Sequence, residues 1–191
     1  MNHNQWAAIT AAIETILVEI GENPQREELQ RTPARVADMF AEIFAGYESD
    51  PQDFLKESIF AAADNDMVVV KNITFYSMCE HHMLPFYGRV HVAYLPAERI
   101  VGLSQIPRMV EMYARRLQVQ ERLTAQIAAL LQDVLQPRGV GVMVEGSHLC
   151  AMMRGVKKEQ AQMVTRSMTG LFQTEPAVRA EFLSLVAGLG N

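Results

Sequence analysis

The period of the apolar residues changes at Met67, and this change constrains the fold more than any other feature. Before it, apolar residues recur at helical spacing. Trp6, Ile9, Ile13, Ile16, Leu17 and Ile20 share one helix face, with Gly21 as a stop. Thr32-Pro33 reads as an N-cap with proline at the first helical position. Val36, Met39, Phe40, Ile43 and Phe44 then form an apolar face that Gly46 ends, and Tyr47 to Asp66 is loop with a short element. From Met67 to Tyr76 the chain is β-branched and aromatic and predicts a strand, and Arg89 to Leu95 alternates like a strand facing it. Ser104 caps a helix carrying Ile106, Met109, Val110 and Tyr113. A longer helix carries Leu123, Ile127, Leu130, Leu131, Val134 and Leu135, closed by Pro137 and Gly139. Gly139 to Glu145 and Leu149 to Val156 predict two more strands, with Met163 to Phe172 extending the second. A last helix starts at Thr174-Glu175-Pro176.

Helices followed by antiparallel hairpins give an α+β chain with a four-stranded antiparallel sheet and helices on one face. Residues 1–66 form an N-terminal helical region and 67–191 the sheet-bearing region of one compact domain, as expected for 191 residues. So thin a sheet leaves one face uncovered, which predicts an oligomer. The charge balance is 17 − 22 = −5, which disfavours general nucleic-acid binding. No apolar run approaches the roughly 20 residues of a membrane span. The first residues lack the basic flank and apolar core of a signal peptide, which predicts a cytoplasmic protein.

The reactive residues fall in two clusters. Ser77-Met78-Cys79-Glu80-His81-His82 places Cys79 and His82 three apart, so that a turn can aim both at one ion. His148-Leu149-Cys150 lies far along the chain, and on a strand residues two apart face the same side. Both cysteines and three of the five histidines lie in these clusters. Two thiolates and one imidazole suit Zn²⁺, and three protein ligands leave the fourth position for water. A closed, four-ligand structural zinc that also uses His81 or His148 is the alternative on residue type alone.

Beyond the clusters, the chain carries Thr32-Pro33-Ala34-Arg35-Val36, Gly102-Leu103-Ser104, Gln120-Glu121-Arg122-Leu123-Thr124 and Met153-Arg154-Gly155-Val156. With these motifs, from about Thr32 to Phe182, it resembles GTP cyclohydrolase I. The resemblance implies a tunnelling fold assembled into an oligomeric β-barrel, a homodecamer made of two pentamers. It implies zinc held by Cys79, His82 and Cys150, with attack of water at C8 of guanine. The purine ring would open, C8 would leave as formate, and rearrangement and closure would give 7,8-dihydroneopterin triphosphate. His81 and His148 would move protons, a task for groups that titrate near neutrality. Glu121, with Gln120 beside it, would take the guanine edge. Ser104 would also contact substrate, and Arg35, Arg108 and Arg154 would hold the triphosphate.

The phosphate region departs from the family pattern. Gln105 stands where the family has lysine, and Ala161-Gln162-Met163-Val164-Thr165-Arg166 replaces a run rich in hydroxyls. Losing a charge-assisted contact costs about 1.5–3 kcal/mol. Arg166, Lys157 and Lys158 are the candidate replacements, although strand alternation could send Arg166 outward. The expected substrate is GTP. A less phosphorylated guanine nucleotide or nucleoside is the second expectation, and a non-catalytic scaffold the third.

Overall fold

The computed structural model describes residues 1–51, 55 and 58–188. The chain forms two compact units, Met1–Ala45 and Gly46–Asn191.

The first unit is a pair of helices, α1 (His3–Glu19) and α2 (Thr32–Ile43). Asn2 and Gln5 close a capping box at the start of α1, each side chain bonding the other's backbone N–H. Gly21, at φ 92°, supplies the left-handed turn that ends the helix. Trp6 Nε1 donates to Asp38 Oδ1 at 2.7 Å and ties α1 to α2. Thr32 is not the cap of α2, as the sequence suggests. The helix begins at Thr32, behind Arg31, and no side chain caps it.

The second unit holds a small pair, β1 (Ile59–Ala61) with β4 (Arg99–Val101), and a main sheet. The main sheet contains β2 (Val68–Cys79), β3 (Pro85–Leu95), β5 (Leu117–Gln118), β6 (Gly139–His148) and β7 (Met163–Met168). Its order is β5-β2-β3-β6-β7. The last four strands are antiparallel, as expected, and β5 adds a two-residue parallel edge. Of the stretch from Tyr47 to Asp66, residues 52–54 and 56–57 lie outside the described residues.

Alternation along β3 sorts the core. Phe86, Val90, Val92 and Tyr94 face one side and pack with Ile106, Met109 and Val110 of α3 (Gln105–Ala114) and Leu123, Ile127 and Leu131 of α4 (Gln120–Leu135). Ala93 and Leu95 face the other side, where Phe172 of α6 (Leu171–Thr174) and Phe182 of α7 (Pro176–Ala187) cover them. This second cover is partial. Tyr76 and Tyr87, opposite one another in register and stacked, remain 75% and 37% exposed beyond it, with Val164 at 58%.

Two sequence expectations fail around residue 150. Leu149 to Val156 is not a strand. β6 ends at His148, and Leu149–Met152 form the short helix α5. β7 is therefore a separate strand paired antiparallel to β6, and the chain turns helical again at Leu171. Leucine, alanine and methionine are helix formers, and the four residues from Leu149 contain no β-branched side chain.

Candidate metal centre

The end of β2 builds the first half of the site. Cys79 accepts from the backbone N–H of Met83 at 2.8 Å, and its own N–H reaches Leu84 O at 2.9 Å. Met83 sits at φ 51° in this tight turn, which folds His82 back toward Cys79. Glu80 N–H donates to Gln118 O, so β5 anchors the turn. The second half comes from the β6–α5 junction, where His148 is the last strand residue and Cys150 lies in the first turn of α5. The two therefore do not share a strand face through alternation, as the sequence suggests; a helical turn carries Cys150 to the site.

One ligand atom each from Cys79, His82 and Cys150 lies within 4.8 Å of the others. In a tetrahedral site with bonds of about 2.0–2.3 Å the ligand edges are about 3.3–3.8 Å, so small side-chain shifts close the trio onto one ion. The donor chemistry fits a borderline-soft dication. Burial pushes the Cys150 thiol up, and the neighbouring Cys79 pushes it further. A bound cation reverses both costs by stabilising the thiolates. Arg154 Nη1 lies 3.1 Å from His82 Nε2. A guanidinium only donates, so this hydrogen bond and ligation through the same nitrogen are alternatives.

His148 stands beside the trio without belonging to it. Its ring stacks on Phe86 at 4.7 Å with an interplanar angle of 2°, and its Nε2 meets Gln120 Oε1 at 2.9 Å. Partial burial lowers its pKa, and the charge of Glu121 partly offsets this. His81 is exposed, its Nε2 3.9 Å from Glu80 Oε1. Arg122 pairs with Glu80 and holds that carboxyl below its ordinary range.

The remaining predicted contacts lie on other elements of the chain. Glu121 is exposed in the first turn of α4. Gln120, beside it, is 1% exposed and points inward. Ser104 and Arg108 are exposed at the start of α3, and Arg35 lies in α2 of the first unit. Gln105 does not stand free in place of a cation; its Nε2 donates to Ser58 Oγ at 2.9 Å. Arg166 does not replace it. Thr165 faces α4, bonding Gln120 and Thr124, so its neighbour Arg166 projects from the opposite side of the sheet. Lys157 and Lys158 are exposed in the loop after α5. Sequence reasoning missed Phe86, Gly146 and Thr165, which hold His148 and Gln120 in place. The spacing of Gln120 and Thr124, one helical turn apart, was the available signal.

An α+β chain that brings two cysteines and a histidine together near a half-buried imidazole has the donor set of a candidate metal site. A family model described as GTP cyclohydrolase I matches residues 9–187. GTP cyclohydrolase 1 of Deinococcus radiodurans is 55% identical over 172 residues, spanning 90% of this chain and 80% of that protein. The protein of the same name from Synechococcus sp. strain JA-2-3B'a(2-13) is 51% identical over 184 residues, with 96% and 80% covered. That of Leptospira biflexa is 52% identical over 174 residues, with 91% and 95% covered. Among solved structures, the crystal structure of the archaeosine synthase QueF-Like in the apo form matches 57% of this chain and 97% of that one, with TM-score 0.47 and 17% identity. The chain belongs to the GTP cyclohydrolase I family.

Proposed function

We propose that the protein converts GTP and water into 7,8-dihydroneopterin triphosphate and formate, with Zn²⁺ as its metal. The observation that carries this reading is the convergence of Cys79, His82 and Cys150 within 4.8 Å, beside His148, in a chain of this family. A zinc ion held by these three residues supplies Lewis acidity, which makes water a competent nucleophile near neutrality.

The protein's own groups do the rest. His148, half-buried, takes or delivers a proton at the edge of the site as the C8–N bond breaks. His81, exposed beside it in sequence, exchanges protons with solvent as the ring opens and recloses. Glu121 accepts from the N–H edge of guanine, a bidentate match for a carboxylate. Ser104 lies at the start of α3 for a further substrate contact. Arg35, Arg108 and Arg154 hold the triphosphate, with Lys157 and Lys158 supplying the charge that Gln105 does not.

The uncovered Tyr76–Tyr87 half of the sheet and the open edge of β7 support assembly with further copies of the chain, as a barrel-forming homodecamer. No described helix is long and apolar enough to cross a membrane, and we place the protein in the cytoplasm. The three relatives described above, each just over 50% identical, are named for GTP, which disfavours a less phosphorylated substrate. The intact donor trio disfavours a scaffold. Formate release by zinc-loaded protein offered GTP, GMP and guanosine side by side tests the substrate. A strong preference for GTP is expected, and comparable kcat/KM for GMP overturns it.

A further inference from the structure

Gln120 stands next to Glu121 in sequence and reads naturally as a second contact to the guanine edge. Its side chain faces the other way. It is 1% exposed, and its Nε2 reaches Val144 O at 3.0 Å, Met163 O at 2.9 Å and Thr165 Oγ1 at 3.1 Å. Two of these partners are carbonyls, which only accept. The amide therefore cannot flip, because a flip would set its oxygen against both carbonyls. Its Oε1 is thereby fixed toward His148 Nε2, 2.9 Å away. A carboxamide oxygen only accepts, so His148 Nε2 must carry a hydrogen. In the neutral ring the lone pair then lies on Nδ1.

Two further observations show that the seat is built for this amide. A Cβ on Gly146 would lie 2.3 Å from Gln120 Oε1, so only glycine leaves room for it. Phe86 is fully buried and stacks parallel to the imidazole. The plane of the ring and its hydrogen are thus held by different neighbours.

We infer that Gln120 is a positioning residue, which fixes the tautomer of His148 so that Nδ1 is the atom that exchanges a proton with substrate. This rests on the ring-opening reading of the site. It withdraws Gln120 from the substrate contacts, since neither of its amide hydrogens is left over for a ligand. It also predicts how the two neighbours in the Gln120-Glu121 pair divide their work, one acting on His148 and the other on the purine.

The test has three arms. In zinc-loaded protein, Gln120→Met lowers kcat by about 10–100-fold, the range seen when a residue orienting a site ligand is removed. KM for GTP and zinc content stay within about twofold of the unaltered protein under the same reasoning. A raised KM with kcat retained overturns the inference, because Gln120 would then be binding substrate. Gly146→Ala, which displaces the amide while leaving every functional group present, lowers kcat in the same way; unchanged kcat overturns the inference. Neutron diffraction from deuterium-exchanged crystals at about pH 8, above the ordinary histidine range, shows deuterium on Nε2 and a bare Nδ1. Deuterium on Nδ1 with a bare Nε2 overturns it. The neutron arm needs no turnover. Unaltered protein that opens no GTP therefore refutes the activity alone, and the diffraction result still decides the tautomer.

Discussion

Substituting Thr165 by valine probes the hydrogen-bond accounting around His148. Thr124 Oγ1 donates to Gln120 O at 2.7 Å, which uses its one proton. In the 2.6 Å pair between Thr124 and Thr165 the donor is therefore Thr165. Thr165 also accepts from Gln120 Nε2. That nitrogen has two hydrogens and two closer acceptors, Val144 O and Met163 O. Thr165→Val keeps the shape of the side chain and strands no buried donor, so its cost is that of one ordinary hydrogen bond, about 1 kcal/mol. Gln120→Met strands the His148 Nε2–H and takes a donor from two carbonyls. One stranded donor costs about 1–3 kcal/mol and two lost bonds about 1 kcal/mol each, which gives about 3–5 kcal/mol. Urea unfolding, followed at one protein concentration and one metal loading because both bind the native state, reads the difference. Equal losses in the two variants would refute the assignment of protons.

Three further outcomes follow from the structure. Titrating metal into the metal-free protein at neutral pH releases about two protons per ion, because both thiols must ionise; calorimetry in buffers of different ionisation heat measures this, and no release would exclude the cysteines as ligands. His91 is 3% exposed and its Nε2 has no hydrogen-bond partner among the described residues. Burial lowers its pKa from 6.5, with Glu145 opposing and Arg89 and Lys71 adding to the shift. The unfolded chain then binds the proton more readily, so this contribution is full above about pH 6.5 and is lost as pH falls toward the folded value. His91→Asn, which keeps an acceptor for Asn72 N–H, flattens the fall of stability below about pH 6.5; an unchanged pH slope would contradict this. A Cβ on Gly88 would lie 1.8 Å from Glu145 O across the β3–β6 pair, so Gly88→Ala costs about 4 kcal/mol or more and lowers soluble yield. Unaltered unfolding would show that the strands can part without cost.

The long strands and helices are legible because their apolar periods are clean. Ile106, Met109 and Val110 on α3 and Leu123, Ile127 and Leu131 on α4 are buried where their spacing puts them. Elements held by few residues are not legible. β5 has two residues and β1 three, too short for any period. The bulge at Asn72, where φ is 58° and the β2–β3 register shifts, is hidden inside a β-branched run; only asparagine's tolerance of the left-handed region marks it. The Cys79–His82 pairing was readable from spacing, since a tight turn does bring the two together. Cys150 does lie near Cys79 and His82, but by a helical turn rather than by strand alternation from His148, which the helix-forming character of Leu149 to Met152 explains. The inward amide of Gln120 left no trace in composition. Its neighbours on β6 and β7 meet it only in the folded sheet.

The most direct test follows the carbon that the reaction must remove. Zinc-loaded protein is given GTP labelled with ¹³C at C8, and the label is tracked by NMR. The account predicts that the label leaves as free formate, one for each GTP consumed, with 7,8-dihydroneopterin triphosphate as the unlabelled product. Label retained in a purine or in any nucleotide product at the end of the reaction would contradict it.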